Sequence, residues 1–366
     1  MDYEAIVVGG GVMGLSTLRH LQRRGLRRVA LFERDRLGGP LGSSHGTSRI
    51  TRAAYEDPLW VRLVLRALAE DWPRLEAELG EQLIFPRDGL FFGPEEGMFP
   101  RYAQAVVEAG AAVEGLSRSQ MATRFPQFRL LPGEGALWDR TAGVVAAKRT
   151  MLGLRARCLE EGAELREGEA VLEVDPANAS VRTRGGWLQA ERLVLCAGPW
   201  SAGLAPHLGP LLRPTLQSVG YFEVAGAADF PVWVWLGRGL HEHVYGLPAF
   251  GHVGIKAALY DTETVITDLD EAGTPQVQPV RDFLTRHLSG TLGPTLHAET
   301  CRFTSTPQAD FVLSPWPGRP RTVVGAGFSG HGFKLAPLVG RVLAELVLDG
   351  RTSVEEVEGN RGRFAG

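Results

Sequence analysis

The chain has 366 residues, 39 basic and 42 acidic, for a formal net charge of -3, and 44% of its residues are hydrophobic. That length exceeds one ordinary core, so two domains are expected, and the balanced charge argues against a nucleic-acid binder or a polybasic membrane-surface protein. No apolar run reaches the length of a membrane span. The three cysteines have neither metal nor disulfide spacing, and an apolar strand starts at once, so a cytoplasmic location without a signal peptide is expected.

The first predicted unit is strand–turn–helix–strand over about residues 4–34. Ala5-Ile6-Val7-Val8 reads as a buried strand and runs straight into Gly9-Gly10-Gly11-Val12-Met13-Gly14, which matches G-x-G-x-x-G. Gly9 suits the tight turn, Gly11 allows close approach of a pyrophosphate, and Gly14 allows helix to pack on strand. The helix N-terminus, with Val12 and Met13, then faces the anion. A second strand ends at Glu33, nineteen residues after Gly14, where a ribose-binding acid belongs.

Residues 60–80 read as an amphipathic helix, with Leu63, Leu65, Leu68, Trp72 and Leu75 near one face. An alternating strand-like piece follows at 85–95. Glu167 to Asp175 and Arg192 to Cys196 read as strands. From Leu216 the character changes: the segments starting at Gly220, Val232, His243 and Val253 are short, aromatic and β-branched, as in an antiparallel sheet. Trp233 and Trp235 are expected to roof a pocket. The α/β pattern then returns, with a strand at 322–324, a Gly-rich loop from Gly325 to Gly332 and a helix from Ala336 closed by Gly350. The nucleotide domain is thus expected over 1–80, 140–212 and 296–366, and the substrate domain over 81–139 and 213–295.

Only Lys148, Lys256 and Lys334 among the 39 basic residues are lysines. A lysine kept in so arginine-rich a chain marks a place where a compact, titratable ammonium is wanted.

Several blocks resemble one known group, the monomeric sarcosine oxidases and N-methyltryptophan oxidases among the FAD-dependent amine oxidases. They are the glycine turn, Gly42-Ser43-Ser44-His45-Gly46-Thr47-Ser48-Arg49, Tyr245-Gly246-Leu247-Pro248, Gly254-Ile255-Lys256, Cys301-Arg302-Phe303-Thr304, and Gly327 through Lys334. The resemblance implies a Rossmann-like FAD-binding domain joined to an α+β substrate domain on an antiparallel sheet. It implies FAD held covalently through Cys301, in a setting where nearby positive charge favours the thiolate. Lys256 is the implied dioxygen-activating residue, because a fixed cation stabilises charge developing on oxygen. His45 and Arg49 are implied beside the flavin ring, and Arg52 and Lys334 as a clamp on the substrate carboxylate. Tyr245, Tyr260 and Phe303 join the substrate-binding set. Ser43, Val171 and the Gly330-His331-Gly332 backbone join the cofactor set, the last facing the flavin pyrimidine edge. Two positions depart from the sarcosine-oxidising members, which have tyrosine where Phe303 stands and histidine where Tyr260 stands. Both line the amine end, so the expected substrate is a larger secondary amino acid, N-methylated or cyclic. Dioxygen is the expected co-substrate, hydrogen peroxide the product, and a monomer the expected state. A dehydrogenase serving a quinone or protein acceptor and a non-catalytic FAD-binding subunit are the alternatives.

Overall fold

A computed structural model describes residues 1–366. Its first layer is an eight-stranded sheet whose parallel heart runs Glu164–Glu167, Val29–Glu33, Tyr3–Val8, Gly186–Leu195 and Arg319–Ala326. Buried on both faces, Tyr3–Val8 (β1) is an almost unbroken apolar run, the pattern parallel sheets demand. Helix α1, Val12–Arg23, packs on the helix Ala336–Asp349. Gly9 has φ +103°, and a Cβ on Gly14 would lie 1.9 Å from the Gly9 carbonyl oxygen, so the turn admits only glycine at both places.

The second layer is another eight-stranded sheet, ordered Thr295–Ser305, Arg213–Phe222, Ile255–Leu259, Val244–Leu247, Val232–Trp235, Gly89–Pro94, Glu134–Asp139, Val113–Leu116. It is antiparallel except where Val232–Trp235 runs parallel to Gly89–Pro94. A small third sheet of Arg49–Thr51, Gly143–Val145 and Ile84–Pro86 lies beside these two. No helix is long and apolar enough to cross a membrane.

Three expectations change. The stretch Glu167 to Asp175 is two strands, because Glu164–Glu167 pairs with Val29–Glu33 while Glu173–Asp175 forms a hairpin with Ser180–Thr183. The helix over 60–80 runs from Pro58 to Leu79 through a π-turn at Ala67–Asp71 that ends two residues before Pro73, whose missing N–H disrupts the regular ladder. The strand carrying Cys301 belongs to the second sheet, so the boundary drawn at 296 runs through it.

The second sheet has two distinct faces, and register decides which side chains meet. Tyr221 sits opposite Lys256 on one side and opposite His297 on the other. Val219 faces Ala258 and Glu299, and Gln217 faces Cys301. Directly opposed residues share a face, and alternate residues along each strand do too. One face therefore gathers Val234, Tyr245, Lys256, Tyr221, Glu299, Cys301 and Phe303. The opposite face gathers Phe222, Trp233 and Ile255 with Phe283 of the helix Gln278–His287. Trp233 lies 5.7 Å from Phe283, stacked on it, and Trp235 donates to Glu134 Oε1 at 2.7 Å. The two tryptophans thus build a core and roof no pocket; Val234 between them lines the cavity.

Candidate active site

Two cavities of about 580 and 500 Å³ meet where Arg49, Phe303, Ser329, Gly330 and Phe333 line both. The smaller is a trench along the glycine turn. Gly9, Gly11, Val12, Met13, Glu33, Ser43, Val171, Gly330 and Gly332 all line it. Glu33 accepts the Gly10 N–H at 2.8 Å and the Asp35 N–H at 2.9 Å. Burial raises its pKa, and the two amides only partly offset that. Ser43 reaches the Arg302 carbonyl at 2.6 Å. The next residue, Ser44, accepts the Val12 N–H at 3.0 Å at the helix N-terminus, where an anion is favoured. Ser44 was not anticipated, although the Ser-Ser pair made it an equal candidate.

The larger cavity is walled by the functional face of the second sheet and by the loop of residues 42–49. Arg49 ties that loop together, donating to the carbonyls of Ser43 at 3.1 Å, His45 at 2.6 Å and Ser48 at 2.9 Å. His45 Nδ1 is 2.8 Å from the Gly42 carbonyl; burial and the Arg49 charge lower its pKa. Lys256 is 4% exposed and its ammonium has one protein acceptor, the Ser48 carbonyl at 3.5 Å. Burial, reinforced by Arg49, brings its pKa down to about 8, while Glu299 and Cys301 push the other way.

Cys301 is buried on this same face. Burial raises its pKa, and Arg49 and Lys256 pull it down without cancelling that effect. The thiolate-favouring charge is therefore supplied by those two residues. Arg302, next in sequence, turns to the opposite face and donates to the Leu41 and Glu271 carbonyls.

At the far end of the cavity Arg52 and Lys334 both approach Tyr55. The backbone just after Arg52 is fixed by buried Asp139, whose Oδ2 accepts from Ala53 at 2.8 Å and Ala54 at 3.2 Å. The Arg52 guanidinium stacks on Tyr55 at 4.2 Å, and its buried Nη1 has no hydrogen-bond partner. Lys334 donates to the Tyr55 hydroxyl at 2.9 Å and to the His331 carbonyl at 3.2 Å. Burial and the Arg52 charge depress its pKa well below the ordinary value. His331 Nε2 faces the Ala309 carbonyl at 2.9 Å, so Nε2 carries the proton and Nδ1 accepts from Tyr55, 3.2 Å away. Its side chain thus supports the clamp, and its own N–H closes a turn onto Phe328. Gly330 and Gly332 line the trench, while His331 lines the larger cavity.

Tyr260 and Phe303 sit 5.7 Å apart, ring to ring, in this cavity. Tyr260 donates to the Ser329 carbonyl at 2.8 Å, and burial raises its pKa to about 12. Ser329 has φ +45° and a buried hydroxyl bonded to the Gly327 carbonyl, backbone strain of the kind that collects at functional sites. Tyr245 lines the wall. Tyr55, Tyr221, Glu299 and His243 were not anticipated. His243 lines the cavity with its buried Nε2 unpartnered. Its position just before a strand start carried no signal.

The donor set of the trench fits a dinucleotide: a carboxylate at the end of the second strand, a glycine turn, and a helix N-terminus. The model of the FAD dependent oxidoreductase family matches residues 4–346. The human peroxisomal sarcosine oxidase is 34% identical, with 94% of this chain and 92% of that protein covered. The monomeric sarcosine oxidase of Streptomyces avermitilis is 32% identical, covering 96% of this chain and 95% of its own. Among solved structures, NikD, an unusual amino acid oxidase essential for nikkomycin biosynthesis, superposes with a TM-score of 0.83 at 25% identity, covering 99% of this chain and 97% of its own.

Proposed function

The chain belongs to the FAD-dependent oxidoreductase family, and from that premise we propose that it oxidises a secondary amino acid, N-methylated or cyclic, and reduces dioxygen to hydrogen peroxide. One observation carries this reading: Arg52 and Lys334 are two basic side chains on the cavity wall, and neither forms a salt bridge, since Glu56 and Asp57 on the same wall pair with Arg101 and Arg363. A substrate carboxylate supplies the missing charge through charge-assisted hydrogen bonds. Anchored there, the amine end lies toward Phe303 and Tyr260, and the apolar edge of Phe303 accommodates bulk where a hydroxyl would ask for a polar partner.

Flavin, when bound, supplies the two-electron acceptor for the C–N bond. Gly9, Gly11, Val12, Met13, Gly14, Glu33, Ser43, Ser44, Val171, Gly330 and Gly332 would hold FAD, with Cys301 as the covalent attachment point. Arg49 and His45 shape the loop beside it. Lys256 provides the fixed cation where dioxygen takes up electrons. The imine product hydrolyses in water.

The reading is tested by anaerobic bleaching of the holoenzyme with N-methyl and cyclic amino acids, followed by kcat/KM on the same panel. Larger secondary amino acids should outrun sarcosine, and amines lacking a carboxylate should fail. Phe303→Tyr combined with Tyr260→His should move preference toward sarcosine by roughly 1–3 kcal/mol per contact. A wild type that already prefers sarcosine overturns the assignment of these two positions. Bleaching without dioxygen consumption would replace the oxidase with a dehydrogenase.

A further inference from the structure

Glu299 and Tyr221 stand on the same sheet face as Lys256, and the oxidase reading assigns them no role. Tyr221 is directly opposite Lys256 across one strand pair, and its hydroxyl donates to Glu299 Oε1 at 2.6 Å. Tyr221 is itself wedged between His252, with ring centroids 4.7 Å apart, and His297, at 5.5 Å. An ideal Cβ on Gly46 would stand 3.4 Å from Arg49 Nη1 and 3.8 Å from both Glu299 Oε1 and Lys256 Nζ. Three charged groups therefore surround one small space, and Glu299 is the only carboxylate among them.

We propose that Glu299 is a positioning residue for Lys256: braced by Tyr221, it is the resident counter-charge that keeps the Lys256 ammonium protonated beside the dioxygen site. The role rests on the assignment of Lys256 to dioxygen. A fixed cation helps only while it stays charged, and burial works against that charge. The groups facing Lys256 are Arg49 and His45 from the loop, Tyr221, Tyr245, His252, Glu299 and Cys301. Arg49 repels the ammonium, His45 does so when protonated, and the tyrosines stay neutral. Burial alone would raise the Glu299 pKa, yet the Tyr221 hydroxyl and the charges of Lys256, His45 and Arg49 outweigh it and hold the carboxyl ionised.

The chain's three lysines make the test direct. Holoenzyme labelled with lysine carrying carbon-13 at Cε gives three signals, and that of Lys256 is identified by its loss in Lys256→Met. Its midpoint is read from a pH titration in wild type, Glu299→Gln, Glu299→Asp and Tyr221→Phe. Glu299→Gln should lower the midpoint by about one pH unit or more, as loss of an opposite charge at this range does. Glu299→Asp should keep most of the wild-type value, and Tyr221→Phe should give a smaller shift in the same direction. Stopped-flow reoxidation of reduced holoenzyme should show its fall with rising pH displaced downward by the same amount in Glu299→Gln. An unmoved Lys256 midpoint in Glu299→Gln, in protein that retains its flavin, overturns the proposal. If Lys256→Met reoxidises as fast as wild type, the dioxygen assignment fails while the midpoint still decides whether Glu299 controls the lysine.

Discussion

The carboxylate clamp makes a quantitative prediction about pH. Lys334 is 6% exposed, and burial together with Arg52 holds its pKa well below the ordinary value. A bound carboxylate reverses that pressure, because it favours the ammonium form. The sign follows from linkage. Below the pKa of the free site the ammonium is already present, and affinity for an anion is flat. Above it, each bound anion must bring a proton with it. Affinity then falls by about tenfold per pH unit until the pKa of the complex is reached. A carboxylate without an amine, such as furan-2-carboxylate, isolates this effect from titration of a substrate amine. Its Kd is read from the flavin difference spectrum across a pH series, and proton uptake from calorimetry in buffers of different ionisation enthalpy. Lys334→Met should remove the pH dependence. It should also weaken binding by roughly 10–150-fold, the loss of one charge-assisted hydrogen bond of about 1.5–3 kcal/mol. The Trp72 indole still holds the backbone carbonyl of residue 334 at 2.7 Å, so the substitution should leave the fold intact. A Kd that is independent of pH in wild type, or a Lys334→Met enzyme binding as tightly as wild type, would refute the clamp.

Lys256→Met should slow reoxidation by dioxygen on the order of a hundredfold, equivalent to about 3 kcal/mol, and slow anaerobic reduction far less; equal slowing of both steps would show that Lys256 binds substrate. Acid-precipitated wild type should keep its yellow colour in the pellet, and Cys301→Ser should release all its flavin to the supernatant; flavin released from wild type would remove the covalent bond. Gly14→Ala should fail to retain FAD and lose thermal stability, since the new methyl would meet the Gly9 carbonyl oxygen at 1.9 Å; an unchanged melting temperature and flavin content would count against the tight turn.

Legibility tracked how local the cause was. The turn from Gly9 to Gly14 and Glu33 could be read directly, because strand, turn, helix and acid follow within one unit. Short strands such as Val232–Trp235 were visible from their β-branched and aromatic residues. Which face each residue takes was not. Trp233 looked like pocket wall and is core, because register in a sheet is set by partners far away in sequence and a one-residue difference reverses the face. The same blindness hid Glu299. Its position two residues before Cys301 puts both on one face of a strand, yet nothing local identified that segment as a strand of the second sheet. Lys256 and Lys334 were conspicuous through the scarcity of lysine and through the blocks Gly254-Ile255-Lys256 and Gly327 to Lys334, while Tyr55 and Tyr221 carried no mark of a site. Their importance comes from the lysine or carboxylate that the fold brings to their hydroxyls.

The two lysines occupy opposite electrostatic situations, and that difference fits the roles proposed for them. Lys334 and Arg52 face a cavity with neutral hydrogen-bond partners, a tyrosine hydroxyl and a backbone carbonyl, and with one guanidinium nitrogen unpartnered. Such a pair is costly to hold charged in a low-dielectric site, and the anion that relieves the cost is the ligand itself. In the proposed role, selectivity for a carboxylate follows from that cost, since a ligand without one leaves the buried guanidinium nitrogen unpartnered. In its proposed role Lys256 has no such ligand to wait for, because dioxygen arrives neutral and acquires charge only as electrons reach it. Its counter-charge has to be resident, and Glu299 is set close enough to sustain the ammonium without a contact ion pair that would occupy it. A carboxylate placed beside Lys334 in the same manner would compete with substrate, and a Lys256 without Glu299 would lose its charge at lower pH. The two ends of the cavity thus differ in how their carboxylates are engaged: Glu299 stands near Lys256, whereas Glu56 and Asp57 pair with Arg101 and Arg363 and form no salt bridge with Arg52 or Lys334.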